Sequence, residues 1–247
     1  MALEFLDDCS EELKEALNKK KQELKFDLSV VGGKLTFFHD NQEFFCDFLA
    51  SKYLTEVKQN YSRSESVYSF LKPILKAAKA DRKKLRVLDL TAGLGRDLFK
   101  FVLAGHQVTA FERDPVLYLL LKDGLKRFLE SEESKRIKKD FKLEGEFICE
   151  LNFGDSVKAL SFEKNKYDLI YFDPMFEDKR KKAAPKKNMQ MIKKLVQESD
   201  YSKEKVILEG LGHSDCLVLK ASDFKSEKIK PQRVISFKGF NYYLFKN

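Results

Sequence analysis

Short apolar runs alternate with longer amphipathic segments along most of the chain. Five of the runs are apolar enough to be strands buried on both faces, and they cover residues 86–90, 107–111, 146–151, 167–172 and 215–220. Segments with helical spacing of apolar residues lie at 67–80, 96–104, 115–133, 189–198 and 202–211. This alternation predicts an α/β fold with a doubly wound parallel sheet. A terminal hairpin, predicted at 234–237 and 242–245, completes seven strands.

The N-terminal residues have a different pattern, which predicts an α+β appendage at 1–66 ahead of a main domain at 67–247. Residues 10–23 have helical spacing, with Ser10 as the N-cap and acidic residues in the first turn. Apolar and polar residues then alternate around a Gly32-Gly33 hairpin signal. We predict strands at 24–31, 34–38 and 43–49, followed by a polar linker.

Composition and charge narrow the choice of partners. The net charge of +8 favours an anionic partner such as nucleic acid, although a lysine-rich surface that only aids solubility is the alternative. No apolar run reaches the ~18 residues of a membrane span, so we expect no membrane partner. The 4 cysteines are scattered, which predicts reduced thiols and a cytoplasmic protein. The 3 histidines are far apart, and we expect no bound metal.

A glycine turn at 91–95 joins the first strand of the main domain to a helix. Gly93 and Gly95 allow a ligand to approach the main chain, and the helix start offers unpaired N–H donors. The dinucleotide pattern G-x-G-x-x-G is incomplete because residue 98 is leucine. Asp89 and Asp97 would repel a pyrophosphate but suit the sulfonium and ammonium groups of S-adenosylmethionine. A plain βα turn that needs no ligand is the alternative.

Polar residues also follow the next two strands of the main domain. Glu112 lies 19 residues after Gly93, close to the spacing of about 20 expected for a carboxylate that binds ribose hydroxyls. Asp155 and Ser156 follow the third strand, where they could bind the adenine amino group and ring. Ligands of open α/β sheets bind beyond the carboxyl ends of the strands. The three positions therefore fit one cofactor site.

The tetrapeptide Asp-Pro-Met-Phe at 173–176 resembles the [DN]-P-P-[YF] motif of methyltransferases that modify exocyclic amines. Such an amine is a poor nucleophile because its lone pair is delocalised into the ring. Asp173 and the Pro174 carbonyl would accept its two N–H bonds and hold the nitrogen toward the sulfonium. Phe176 would stack on a flipped base. A strand-end turn with a buried phenylalanine is the alternative.

A basic cluster follows the tetrapeptide, and we expect it to contact RNA phosphates. Its members are Lys179, Arg180, Lys181, Lys182, Lys186 and Lys187. A solvated loop with no ligand is the alternative interpretation.

The motifs DLTAGLGRD at 89–97 and DPMF at 173–176 resemble those of the ribosomal small-subunit methyltransferase J family. Residues 112–115 and 217–220 also match, and the resemblance covers about 85–245, with weaker similarity at 44–71. It implies a Rossmann-like class I methyltransferase sheet, S-adenosylmethionine as cofactor and methylation of a guanine N2 in 16S rRNA. The implied cofactor contacts are Arg96, Asp97, Glu112, Arg113, Asp155, Ser156 and Asp173. Lys220, in the last matching segment, is assigned with the basic cluster to RNA.

The resemblance implies that the partner is 16S rRNA or the 30S subunit. Three other functions stay open at this point. The chain could methylate an exocyclic amine in another RNA or in DNA, or it could be a non-catalytic RNA-binding or assembly protein that keeps the fold. A nicotinamide dehydrogenase is disfavoured by the leucine at 98 and by the lack of an evident acid/base partner.

Overall fold

A seven-stranded sheet forms the centre of the computed structural model, which describes residues 9–55, 74–75, 84–140, 142–143, 145–162, 164, 166–174, 192, 194–196 and 201–247. Its strands are β4 (Arg86–Asp89), β5 (Gln107–Glu112), β6 (Ile148–Phe153), β7 (Leu169–Phe172), β8 (Cys216–Ala221), β9 (Arg233–Phe237) and β10 (Phe240–Lys246). They lie in the order β6-β5-β4-β7-β8-β10-β9. The first five of that order are parallel, whereas β10 is antiparallel to both β8 and β9. The predicted α/β sheet is confirmed, with its strand order reversing between β4 and β7.

Five helices of the main domain are described: α2 (Arg96–Leu103), α3 (Pro115–Leu129), α4 (Glu132–Asp140), α5 (Ser156–Leu160) and α6 (Lys203–Leu211). The single helix predicted at 115–133 is wrong, because α3 ends at Leu129 and α4 starts anew. Ser131 causes the break. Its hydroxyl donates to the Phe128 carbonyl at 2.6 Å and accepts the Ser134 N–H at 3.1 Å, so it caps the start of α4.

The predicted helices at 67–80 and 189–198 fall mostly outside the described residues. Ile74 and Leu75 of the first, and Ile192, Lys194 and Leu195 of the second, are described and helical. The short α5 was not predicted. Its N-cap is Asp155, whose side chain accepts the N–H groups of residues 157 and 158.

The N-terminal segment contains helix α1 (Glu11–Glu23) and a three-stranded antiparallel sheet of β1 (Asp27–Val31), β2 (Lys34–His39) and β3 (Gln42–Phe44). The first strand begins later than predicted, because the Leu24 N–H still bonds to the Lys20 carbonyl at 2.9 Å and closes α1. The third strand ends at Phe44 rather than 49. The Cys46 carbonyl accepts a hydrogen bond from Arg127 of α3, so this backbone leaves the sheet.

The N-terminal segment packs on α3 and is attached to it by buried polar contacts. Lys20 Nζ of α1 lies 2.8 Å from Asp114 Oδ2, the N-cap residue of α3. Asp123 of α3 accepts the Leu35 N–H of β2 at 3.2 Å. Residues of both segments belong to one hydrophobic core cluster. The predicted domain boundary at 66/67 lies outside the described residues, so the division into two domains stays a prediction.

Candidate functional site at the carboxyl edge of the sheet

A cleft opens at the carboxyl edge of the sheet, where the strand order reverses between β4 and β7. Open α/β sheets bind their ligands at this place. The sequence-predicted residues that line it are Gly93, Glu112, Arg113, Asp155, Ser156, Asp173 and Pro174. The structure therefore brings together residues that are up to 81 positions apart in the sequence.

The glycine turn after β4 is held by backbone geometry that favours glycine. Gly93 has φ +54° and Gly95 has φ +72°, both in the left-handed region. The Gly95 N–H donates to the Ala92 carbonyl at 2.8 Å, and the Ala92 N–H donates to the Phe111 carbonyl at 2.9 Å. The turn thus folds against the end of β5 and presents its backbone to the cleft.

Glu112 at the end of β5 connects two turns of the cleft wall. Its Oε2 accepts the Gly93 N–H at 2.7 Å, and its Oε1 accepts the Asp114 N–H at 2.8 Å. Burial raises the pKa of Glu112 to about 7, although both hydrogen bonds favour the carboxylate. Each carboxylate oxygen has a second lone pair, so Glu112 can still accept hydrogen bonds from a ligand.

The turn after β7 is linked to the turn after β4. The Asp173 N–H donates to Thr91 Oγ1 at 2.8 Å, which places the carboxylate of Asp173 beside the glycine turn. On the other side of the cleft, Asp155 Oδ1 accepts the Val157 N–H at 2.9 Å. Ser156 begins α5 next to that cap, and its side chain lines the same cleft.

Asp173 belongs to a network of charged and polar side chains from β7, β8 and α2. Lys220 Nζ of β8 is 2.7 Å from Asp173 Oδ2 and 2.6 Å from Asp97 Oδ2. The Tyr171 hydroxyl donates to Asp97 Oδ2 at 2.8 Å. Burial would raise the pKa of Asp97, but Lys220 and Lys100 outweigh it and hold that pKa at about 2. Asp97 is therefore a carboxylate that anchors Lys220.

Several predicted site residues lie away from the cleft lining. Asp89 is buried beneath the turn, where its Oδ1 accepts the Thr91 N–H at 3.0 Å. Burial raises the pKa of Asp89 to about 8, which favours the neutral carboxyl and weakens its attraction for a cation. Gly95 and Arg96 form the start of α2 outside the lining. Lys220 bridges two carboxylates, whereas the sequence analysis assigned it to RNA.

Other predicted residues lie outside the part of the chain that the structure describes. They are Phe176 and the basic cluster Lys179, Arg180, Lys181, Lys182, Lys186 and Lys187. Their assigned roles stay predictions.

The apolar part of the cleft was not predicted from the sequence. Phe111 and Phe172, the last apolar residues of β5 and β7, line it together with Tyr201 and Val206. The two phenylalanines could have been found, because each directly precedes a predicted site residue, Glu112 or Asp173. Tyr201 and Val206 come from the helix α6 region and carry no sequence signal. These side chains give the cleft the apolar surface that a purine ring requires.

Two absences concern only the residues that the structure describes. Among them, no group of three His, Cys, Asp or Glu side chains could hold a metal ion. In the same part of the chain, no helix is long and apolar enough to cross a membrane.

Comparisons with known proteins agree with this geometry. A family model described as SAM-dependent methyltransferase matches residues 12–220. The match begins in α1, so the similarity extends further toward the N-terminus than the motifs indicated. The chain is also 33% identical over 165 residues to the ribosomal RNA small subunit methyltransferase J of Francisella tularensis subsp. novicida, covering 67% of this chain and 62% of that relative. The protein of the same description from Coxiella burnetii is 34% identical over 164 residues, 65% of this chain and 61% of the relative.

These matches confirm the resemblance to the methyltransferase J family, and the chain spans less than two thirds of the length of these relatives. Among solved structures, a SAM-dependent methyltransferase from Neisseria gonorrhoeae superimposes with a TM-score of 0.59 at 19% identity. The alignment covers 97% of this chain and 93% of the other. It supports the class I methyltransferase fold expected from the motifs.

Proposed function

The chain belongs to the SAM-dependent methyltransferase family, and on that premise we propose that it transfers a methyl group from S-adenosylmethionine to the exocyclic N2 amine of a guanine in small-subunit rRNA. The observation that carries the proposal is the meeting of two motifs at one cleft. The Asp173 N–H bonds to Thr91 Oγ1 at 2.8 Å, so the predicted amine-binding aspartate lies beside the glycine turn.

The cleft residues suit the parts of the proposed cofactor. Glu112, Asp155 and Ser156 line the cleft. Glu112 would accept hydrogen bonds from the ribose hydroxyls, and Asp155 and Ser156 would bind the adenine amino group and ring. Phe111 and Phe172 supply apolar contact for the ring. The Gly93 turn would lie along the methionine part, with Asp173 close to the reacting methyl group.

Asp173 and Pro174 would act on the target amine. The carboxylate and the Pro174 carbonyl accept its two N–H bonds, which directs the nitrogen lone pair at the methyl carbon. The nitrogen would form a bond to the methyl carbon as the methyl–sulfur bond breaks, which would leave neutral S-adenosylhomocysteine. The methylated nitrogen would then give up one proton to solvent water. Ionised Asp173 suits this role best, since a protonated carboxyl carries an O–H donor on one oxygen and lacks the negative charge.

The choice of rRNA rests on two observations. The relatives from Francisella tularensis and Coxiella burnetii are described as ribosomal RNA small subunit methyltransferases, and this chain has a net charge of +8. A basic protein suits a polyanionic substrate. An exocyclic amine in another RNA or in DNA would fit the same geometry, so the product must be identified directly.

Asp173→Asn tests the proposal by separating binding from turnover. The amide keeps the size of the side chain but loses one acceptor oxygen and the negative charge. We expect turnover on 16S rRNA to fall by about 10²–10³, while calorimetry finds S-adenosylmethionine still bound. Asp215→Asn, on an exposed aspartate, is the matched control and should behave as the wild type. Wild-type turnover by Asp173→Asn would remove the assigned role. A wild-type chain that does not bind the cofactor would favour the non-catalytic alternative.

A further inference from the structure

Lys220 lies beside Asp173 but has no part in the proposed methyl transfer itself. It lies on β8, next to β7, and its side chain is 21% exposed. Its ammonium contacts two carboxylates, Asp97 and Asp173, at 2.6 and 2.7 Å. It also lies 5.2 Å from the centroid of the Phe240 ring. A cation held on three sides in this way is poorly placed to bind an RNA phosphate.

We propose that Lys220 is a positioning residue, whose ammonium holds one oxygen of Asp173 so that the other oxygen faces the target amine. This inference rests on the proposed function. Lys220 binds Oδ2, while Thr91 fixes the backbone of Asp173 at 2.8 Å. No hydrogen bond reaches Oδ1 from any residue that the structure describes. The aspartate is thus fixed at its backbone and at one oxygen, and its second oxygen is available as an acceptor.

The charge of Lys220 also decides the protonation of Asp173. The ionisable groups that surround the pair come from four elements and are Asp97 and Lys100 of α2, Tyr171 of β7, Asp89 of β4 and Tyr242 of β10. Burial raises the pKa of Asp173, and Lys220 is the main group that opposes this rise. Without it, the two carboxylates would face each other, and Lys100, which lies 3.0 Å from Asp97 Oδ1, would still oppose the rise. Asp173 would then keep its proton to higher pH and would be a weaker acceptor, because it would lack the negative charge.

Lys220→Met tests this role, because methionine keeps most of the length and volume but has no charge. We expect kcat at saturating RNA and cofactor to fall by about 100-fold, the usual loss when one positioned polar group is removed. The KM for RNA and the Kd for S-adenosylmethionine should stay within about threefold of wild type. The acid limb of the kcat–pH profile should move to higher pH, since Asp173 loses its cation. Lys220→Arg should restore the limb, because it restores the charge.

Lys228→Met, on an exposed lysine, is the control for loss of one positive charge and should leave kcat unchanged. Cofactor binding and the midpoint of urea unfolding verify that each variant is folded. If Lys220→Met does not fold, Lys220→Gln replaces it as the uncharged variant. The same shift of the acid limb is expected.

Two results separate this inference from the proposed function. If Lys220→Met keeps its kcat and its pH profile but shows a higher KM for RNA and a flatter salt dependence, Lys220 is an RNA contact and the inference is wrong. That conclusion requires that the wild type is active and that Asp173→Asn is not. A wild-type chain that methylates no RNA would instead refute the proposed function, and this role with it.

Discussion

Affinity for S-adenosylmethionine should depend on pH through Glu112. This carboxyl is 7% exposed, and burial raises its pKa to about 7. Ribose hydroxyls donate hydrogen bonds, so the cofactor prefers the ionised form of Glu112. Binding should therefore lower the pKa of Glu112 and release a proton when it occurs below pH 7.

The size of the effect follows from the fraction of Glu112 that is ionised in the free protein. With a pKa of about 7, that fraction is about 0.1 at pH 6 and about 0.9 at pH 8. The apparent Kd equals the intrinsic Kd divided by the ionised fraction of Glu112, so the apparent Kd should be about tenfold higher at pH 6 than at pH 8. This corresponds to about 1.4 kcal/mol of binding free energy. The sign is fixed: affinity rises as pH rises through 7.

Isothermal titration calorimetry at pH 6, 7 and 8 measures this dependence. At each pH, two buffers with different ionisation enthalpies report the number of protons released. Glu112→Gln is the control, because glutamine cannot ionise, and comparison with it removes the titration of the cofactor's own amino group. We expect the variant to bind more weakly at pH 8 and to lack the wild-type pH dependence. Identical pH profiles for the wild type and Glu112→Gln would refute the role of Glu112.

Two further predictions concern stability. Backbone strain alone should make Gly95→Ala cost about 1–3 kcal/mol of unfolding free energy. The total loss should be larger, because a Cβ at this site would lie 2.4 Å from Leu121 Cδ1. Gly33→Ala isolates the strain, since Gly33 has φ +74° and no atom within 4 Å of the added Cβ, and urea unfolding of both variants measures the difference. Lys20→Met should cost about 3–5 kcal/mol in the same assay, because it leaves Asp114 buried without its cation.

The control for Lys20→Met is Lys21→Met. Lys21 lies 3.6 Å from Asp27, and both side chains are largely exposed, at 56% and 83%. An exposed pair of this kind is worth about 0–1 kcal/mol. Equal losses for the two variants would contradict the assignment of the buried pair as the attachment of α1 to α3. Equal losses for Gly95→Ala and Gly33→Ala would contradict the argument from overlap with Leu121.

The sequence was sufficient to predict that the two motifs meet. Parallel strands share one carboxyl edge, so a glycine turn after β4 and an aspartate after β7 must lie on the same side once both strands are parallel members of one sheet. Periodicity located these strands because they are short and apolar. The neighbouring positions of β4 and β7, with the order reversing between them, were not predicted and are seen only in the structure.

The role of Lys220 could not be predicted from the sequence. It is 47 residues from Asp173 and 123 from Asp97, and in a chain with net charge +8 a lysine at a strand end suggests a nucleic-acid contact. Only the packing of β8 against β7 shows that its ammonium is enclosed by carboxylates. The burial of Asp89 was not predicted for a related reason, since a carboxyl at a strand end can point under the turn instead of into the cleft.

The break between α3 and α4 was missed because no proline or glycine marks it. Ser131 ends one helix and caps the next through its side chain, a local competition that apolar periodicity does not detect. This break does not affect the candidate functional site. The break lies far from the cleft, whereas the capping of α3 by Asp114 next to Glu112 sets the shape of the cleft wall.

Transfer of an isotope-labelled methyl group tests the central claim most directly. The wild-type chain is incubated with methyl-labelled S-adenosylmethionine and with either naked 16S rRNA or 30S subunits from a strain that lacks the gene. The RNA is digested, and the labelled nucleoside is identified by mass. We expect the label in N2-methylguanosine and at a single guanine of the rRNA. Label in a different nucleoside, or no transfer to either substrate from a chain that binds the cofactor, would contradict the account.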